Sequence, residues 1–182
     1  MRPPSGTWGV CTSRAWACRR IIGRRPSGFA LPLSKEFVQA QNNLGGMYHN
    51  GQGVPKDYQE AAKWFRLAAE QGDTEAQFNL GEMYHRGQGV PADDGEAIRW
   101  YLLAADQGSL FSKYAQYALG EMYSRVKGVK EDLIQAHMWF TLAAANSHSD
   151  ATEARDKLIP RMTSTQLAEA QRLAREWTTT RK

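Results

Sequence analysis

The sequence of 182 residues holds only two cysteines, Cys11 and Cys18. Two thiols cannot build a disulfide scaffold, and they fall short of the ligand set of a structural zinc site. Long apolar runs are missing too. Nothing approaches the ~18 residues that a membrane-spanning helix needs. The first 34 residues lack any acid or lysine, yet carry six arginines: Arg2, Arg14, Arg19, Arg20, Arg24 and Arg25. The remainder then has 17 basic against 19 acidic side chains, a net charge of −2. The overall charge of +4 therefore belongs to the N-terminal stretch, and the rest does not read as a nucleic-acid-binding surface. With 42% hydrophobic and 23% charged residues, the composition excludes collagen, mucin-like stalks and wholesale disorder.

Gly, Pro, Ser and Arg punctuate residues 1–34 throughout. A secretory signal needs about 7–15 consecutive apolar residues after a basic start. The longest apolar stretches are Ala15–Cys18 and Phe29–Leu33, the second broken by Pro32. No convincing signal peptide meets that criterion. The cytoplasm is then the default compartment, with periplasm or secretion left open. An arginine-rich, acid-free start also suits an organellar transit peptide, a basic arm touching anionic partners, or an over-long start codon assignment. The expectation for 1–34 is a disordered arm.

The rest of the chain repeats itself. Leu44-Gly45-Gly46-Met47-Tyr48 returns as Leu80-Gly81-Glu82-Met83-Tyr84 and as Leu119-Gly120-Glu121-Met122-Tyr123, at steps of 36 and 39 residues. Trp64, Trp100 and Trp139 follow the same steps, each trailed by an Ala-Ala pair. Gly51-Gln52-Gly53-Val54-Pro55 recurs as Gly87-Gln88-Gly89-Val90-Pro91, while the third copy, Val126-Lys127-Gly128-Val129-Lys130, is degraded. Agreement across separate motifs makes chance a poor explanation. The extra residues of the last copy fall between Gly108 and Leu119.

Each unit reads as helix, loop, helix. Ala40, Leu44, Met47 and Tyr48 follow the helical period in the first helix, as do Ala61, Trp64, Phe65 and Ala68 in the second. Asp57, Asp93 and Asp132 stand where they cap the second helices, with Glu60, Glu96 and Gln135 in place to complete a capping box. Gly45, Gly81 and Gly120 keep a mid-helix position open at a cost of about 0.5–1 kcal/mol each relative to Ala, which predicts a close helix–helix approach there. A hairpin cannot cover its own large rings, so the hairpins are expected to stack. After them, Ala151–Leu158 predicts a short helix stopped near Pro160. Thr163 to Gln166 forms a capping box for a final amphipathic helix with Leu167, Ala170, Leu173, Ala174 and Trp177 on one face. The expected organisation is an arm at 1–34, repeats at 35–72, 73–108 and 109–147, and C-terminal capping helices at 148–182.

The pattern A-x-x-x-L-G-x-M-Y, a glycine-rich loop, an aspartate cap and W-x-x-x-A-A spans Ala40–Ala69, Ala76–Ala105 and Ala115–Ala144. It resembles the Sel-1-like repeat, a relative of the tetratricopeptide repeat. The tail from Ala154 through Trp177 is similar to the terminal helices of bacterial members. The resemblance implies an all-α, right-handed superhelical solenoid that serves as an adaptor in protein complexes. A cysteine-rich branch of that family includes members connected with β-lactam chemistry. No repeat here contains cysteine, so nothing carries over from that branch. The degraded third loop puts a uniform groove in doubt.

Partner recognition is expected on the face of the first helices turned away from the core, which lines the concave side of such stacks. That face offers Gln39, Asn42, Gly46 and His49 in the first unit and Glu75, Phe78, Glu82, His85 and Arg86 in the second. The third offers Tyr117, Glu121, Ser124 and Arg125. Asn42, His49, Phe78, Glu82, His85, Tyr117, Glu121 and Arg125 are the candidate contacts. Phe78 and Tyr117 are candidate anchors, or else pack on neighbouring helices. Glu82 and Glu121 would make the groove locally acidic, or else are solvated helix charges. His49 and His85 share one repeat position. Their helices should stand ~9–10 Å apart, too far for shared first-shell metal ligation. No metal, cofactor or catalytic residue is expected, since no nucleophile accompanies a spaced base. The expected role is a non-catalytic scaffold, monomeric, binding a segment of a partner protein. Binding of nucleic acid or lipid through the arginine arm is the alternative, and a β-lactam or cell-wall enzyme rests on family analogy alone.

Overall fold

Each second helix begins at an aspartate, as its sequence predicts. Asp57 accepts from the amides of Gln59 and Glu60 at 2.9 and 3.1 Å. Asp93 accepts from Glu96 at 3.0 Å, and Asp132 from Ile134 and Gln135 at 3.0 Å. These amides would otherwise be orphans of the first turn. The reciprocal half of the box differs from expectation. Glu60 pairs with Lys63 at 2.6 Å and Glu96 with Arg99 at 3.3 Å, because a cation three residues on draws the carboxylate outward along the helix. At the last helix Thr163 and Gln166 complete the box in both directions.

The computed structural model describes residues 35–125 and 131–180. The expected arm at 1–34 and the degraded loop at 126–130 lie outside them. The described residues form three hairpins: α1 (Lys35–Asn50) with α2 (Tyr58–Ala69), α3 (Thr74–Arg86) with α4 (Asp94–Ala105), and α5 (Ser112–Ser124) with α6 (Leu133–Ala145). A short α7 (Ala151–Asp156), a 3-10 turn (Ile159–Arg161) and a final α8 (Ser164–Thr179) follow. Each helix packs on its hairpin partner, α2 packs on α3, α4 on α5, and α7 and α8 both pack on α6. Among the described residues this is an all-α solenoid of stacked helical hairpins.

The mid-helix glycines have a specific cause. A Cβ on Gly45, Gly81 or Gly120 would lie 2.7, 2.7 or 2.6 Å from the ring of Phe65, Tyr101 or Phe140 on the partner helix. Those rings occupy the residue after each tryptophan, so the close approach is ring against backbone. Leu44, Leu80 and Leu119, with Ala61, Ala97 and Ala136, are fully buried around them. Between hairpins, Gly89 has φ +72°, and a Cβ there would fall 2.1 Å from the Tyr58 carbonyl oxygen of the preceding unit. Only glycine serves at that contact.

A buried amide ladder joins the units. Gln41, Gln77 and Gln116 share one repeat position and are 4, 4 and 3% exposed. Gln77 donates to Ala69 O of the preceding helix at 3.1 Å, and Gln116 to Ala105 O at 3.2 Å. Each of the three glutamines also accepts from the amide that ends its own hairpin. Gln71 donates to Gln41 at 2.7 Å, Gln107 to Gln77 at 2.9 Å and Asn146 to Gln116 at 2.9 Å. Buried polar groups persist when they are paired in this way.

Candidate protein-binding face

By repeat step, Asn42 aligns with Phe78 and Tyr117, Gly46 with Glu82 and Glu121, and His49 with His85 and Ser124. Placed by the hairpins, these positions fare differently from unit to unit. Phe78 and Tyr117 are half-buried. Asn42 is 3% exposed, and its Oδ1 has no hydrogen-bond partner among the described residues. The expected contact at Asn42 is therefore not presented at the surface. A short side chain at a position built for a ring ends beneath the level the rings reach.

Phe78 and Tyr117 belong to one run of rings. Phe78 lies 5.8 Å from Tyr101, 6.4 Å from Phe111 and 6.1 Å from Tyr114. Tyr114 meets His148 edge-on at 5.5 Å. His148 stacks flat on Tyr117, with centroids 4.2 Å apart and planes 6° from parallel. Tyr117 in turn lies 5.3 Å from Phe140. Phe78 and Tyr117 thus pack on neighbouring rings, and the run still reaches solvent. Tyr114 is 41% exposed, and Leu110, four residues before it, is 68% exposed. Leu110 and Phe111 sit in the extra residues between the second and third units. Sequence reasoning noted that insertion without seeing what it delivers. The available signal was two large apolar residues in a linker that is otherwise Gly and Ser.

The charged candidates are neutralised locally. Glu82 accepts from the Tyr101 hydroxyl at 2.6 Å and pairs with Arg86 at 2.6 Å. Glu121 pairs with Arg125 at 3.0 Å. The expected acidic groove is replaced by two carboxylate–arginine pairs four residues apart on their helices. Burial, reinforced by the Glu82 carboxylate, pushes the Tyr101 phenol well above its ordinary range. Burial, followed by Glu121, raises the Tyr117 phenol as well. Burial lowers the His148 imidazole, with Lys113 acting in the same direction and Asp150 opposing. Both shifts favour the uncharged form of the stacked His148–Tyr117 pair. A groove of about 300 Å³ opens beside it, lined by Tyr117, Glu121, Phe140, Asp150, Lys157 and Arg161.

The histidines are engaged within the fold. His49 Nδ1 lies 3.0 Å from Asn50 Oδ1 and Nε2 lies 3.3 Å from Gln88 Oε1, with Tyr58 edge-on at 5.2 Å. His85 Nδ1 lies 2.7 Å from Asp94. Tyr58 and Asp94 are repeat equivalents, so each histidine is matched by a different residue at one facing position. Among the described residues no group of His, Cys, Asp or Glu is placed to hold a metal ion. No helix among them is long and apolar enough to cross a membrane.

Stacked hairpins with a side-chain face along their first helices define a helical-repeat scaffold. Sel1 repeat models match residues 38–73, 74–109 and 113–148, more than half of the chain, which therefore belongs to the Sel1 repeat family. Two solved bacterial structures are similar. One is a protective antigen of uropathogenic Escherichia coli displaying an SLR fold, with 31% identity, TM-score 0.74, and coverage of 93% of this chain and 33% of that one. The other is a Sel1 repeat protein from Oxalobacter formigenes, with 31% identity, TM-score 0.62, and coverage of 69% and 52%. The chain thus spans about a third and about half the length of these relatives. No curated protein matches significantly. Repeats of this family are characteristically scaffolds for protein–protein interaction.

Proposed function

We propose that the chain is an adaptor that binds a segment of a partner protein along the first-helix face, anchored on the second and third units. The supporting observation is the run of rings from Phe78 through Phe111, Tyr114 and His148 to Tyr117, with Tyr114 and Leu110 open to solvent. Aromatic side chains that are held rigid and partly exposed are what binding hot spots are made of. The paired Glu82–Arg86 and Glu121–Arg125 flank the run and offer hydrogen bonds without a net charge to desolvate. Tyr117 and Glu121 line the adjoining groove, which extends the surface toward α7. His49 and Arg125 belong to the rim in this reading, and the partner is a peptide segment or a subunit of a complex.

The test is affinity capture from native extract with the full chain and with a Leu110→Ser, Tyr114→Ala variant. Both side chains are exposed, so the helical circular dichroism should stay unchanged. A partner held by the native chain and lost by the variant supports the proposal. A partner held equally by both removes the aromatic run from recognition.

A further inference from the structure

The second helices expose a surface that the first-helix face does not use. Gln59, Ala62, Lys63, Arg66 and Leu67 of α2, with Val90 from the next unit's loop, line an open and mostly apolar groove of about 440 Å³. Leu67 is 43% exposed, and its repeat equivalent Leu103 on α4 is 45% exposed. Two large aliphatic side chains thus stand open to solvent at matched positions of successive repeats.

The same surface occurs a third time, and there it is covered. By the repeat steps, Gln59, Lys63 and Leu67 correspond to Ile134, Met138 and Leu142 of α6. Met138 and Leu142 are 5 and 2% exposed, in a cluster with Ala174, Leu173 and Trp177 of α8. Ile134 meets Gln166, Glu169 and Arg172 of α8 across a seam. An amphipathic helix thus sits on α6 at the repeat positions that α2 leaves open. Charge separates the two sites. Where α6 carries Met138 and Thr141, α2 carries Lys63, paired with Glu60 at the groove's edge, and Arg66, which donates to the Tyr84 hydroxyl; Glu70 is the one acidic residue among those lining the groove.

We propose that the α2 groove docks an amphipathic helix of a partner protein, seated as α8 is seated on α6. Its Ala/Leu stripe would lie against Leu67 and Val90, and its carboxylates would face Lys63 and Arg66. Helix-in-groove recognition needs an apolar stripe at helical spacing and a matched edge, and both are present here.

A synthetic peptide of residues 163–180 supplies the probe, because the chain's own α8 already occupies α6. It is titrated into the full chain in its native sequence and with Arg172→Gln and Arg175→Glu. The altered peptide is expected to bind saturably, and the native-sequence peptide about tenfold more weakly, because Arg172 and Arg175, which line the seam with Ile134 on α6, would lie against Gln59 one turn from Lys63. Leu67→Glu should weaken the altered peptide about tenfold or more, at unchanged helical circular dichroism. No saturable binding, equal affinity of the two peptides, or indifference to Leu67→Glu would overturn the proposal. Competition by the first-helix face would show as loss of peptide binding in the Leu110→Ser, Tyr114→Ala variant, and would also overturn it. Concentration-dependent dimerisation of the chain that Leu67→Glu abolishes would give the groove to a second copy instead. These outcomes stand apart from the first-helix proposal, which could fail without altering them.

Discussion

The first and third hairpins carry the same motif and meet different surroundings. Leu44 and Leu119, Ala61 and Ala136, and the glycine–ring contacts Gly45–Phe65 and Gly120–Phe140 are alike inside both. Outside, they diverge. Trp64 is half-buried, whereas Trp139 is 2% exposed with Trp177 of α8 edge-on at 4.7 Å. Leu67 is open and Leu142 is closed. The repeat motif therefore prescribes the inside of each hairpin, and position in the stack prescribes what becomes of the outside. A residue's identity at a repeat position does not by itself tell core from surface.

The comparison predicts unequal effects of equal substitutions. Trp139→Ala should cost about 3–5 kcal/mol in urea unfolding, and Trp64→Ala less than half as much. Equal losses would mean that the first hairpin is covered as well as the third. Gly45→Ala and Gly120→Ala should cost alike, because the rings stand at nearly equal distances of 2.7 and 2.6 Å from the added Cβ. Overpacking of about 1–3 kcal/mol outweighs a helix-propensity gain of up to about 1 kcal/mol. A stabilised Gly45→Ala protein would show that the Phe65 ring yields and that the two interiors are not equivalent. Asp57→Ala and Asp132→Ala should each remove about 1 kcal/mol, matched between the units since both aspartates accept two amides.

The smallest expected effect is in pH. His137 occupies the repeat position of Ala62 and is 2% exposed. Burial, followed by Arg155, lowers its imidazole below the usual value, with Asp156 opposing. The unfolded chain then takes up the proton more readily than the folded one. Stability should fall as pH drops below about 6.5 and level off once the folded form also protonates. His137→Gln should flatten that part of the pH profile. An unchanged slope would move the effect to His148, whose imidazole is lowered by burial as well.

The hairpins were legible because three copies of one spacing leave little freedom. The Asp57, Asp93 and Asp132 caps appear at their expected positions, and α8 begins at its expected box. Helical period tells which face of a helix is apolar, and that is how Phe78 and Tyr117 were found off the core stripe. It does not tell which neighbour lies against a side chain on another hairpin. Hence Asn42, placed on the face by count, is buried, and His148 was overlooked although it stacks on Tyr117. The arginines that neutralise Glu82 and Glu121 were readable at a spacing of four residues, yet the carboxylates were read alone. The glutamine ladder left a signal as well, since Gln41, Gln77 and Gln116 recur at the repeat step, but polar residues beside an apolar stripe are easily taken for surface.

That ladder has a consequence for how such a chain can change length. Gln77 and Gln116 each reach back to a backbone carbonyl of the unit before and receive an amide from the exit of their own unit. Every joint is thus assembled from groups that any copy of the unit brings along. A tandem duplication of one unit would arrive with its fastening already in place, needing no compensating change elsewhere. The binding surface could then be extended or shortened by whole units, with the two ends left as they are.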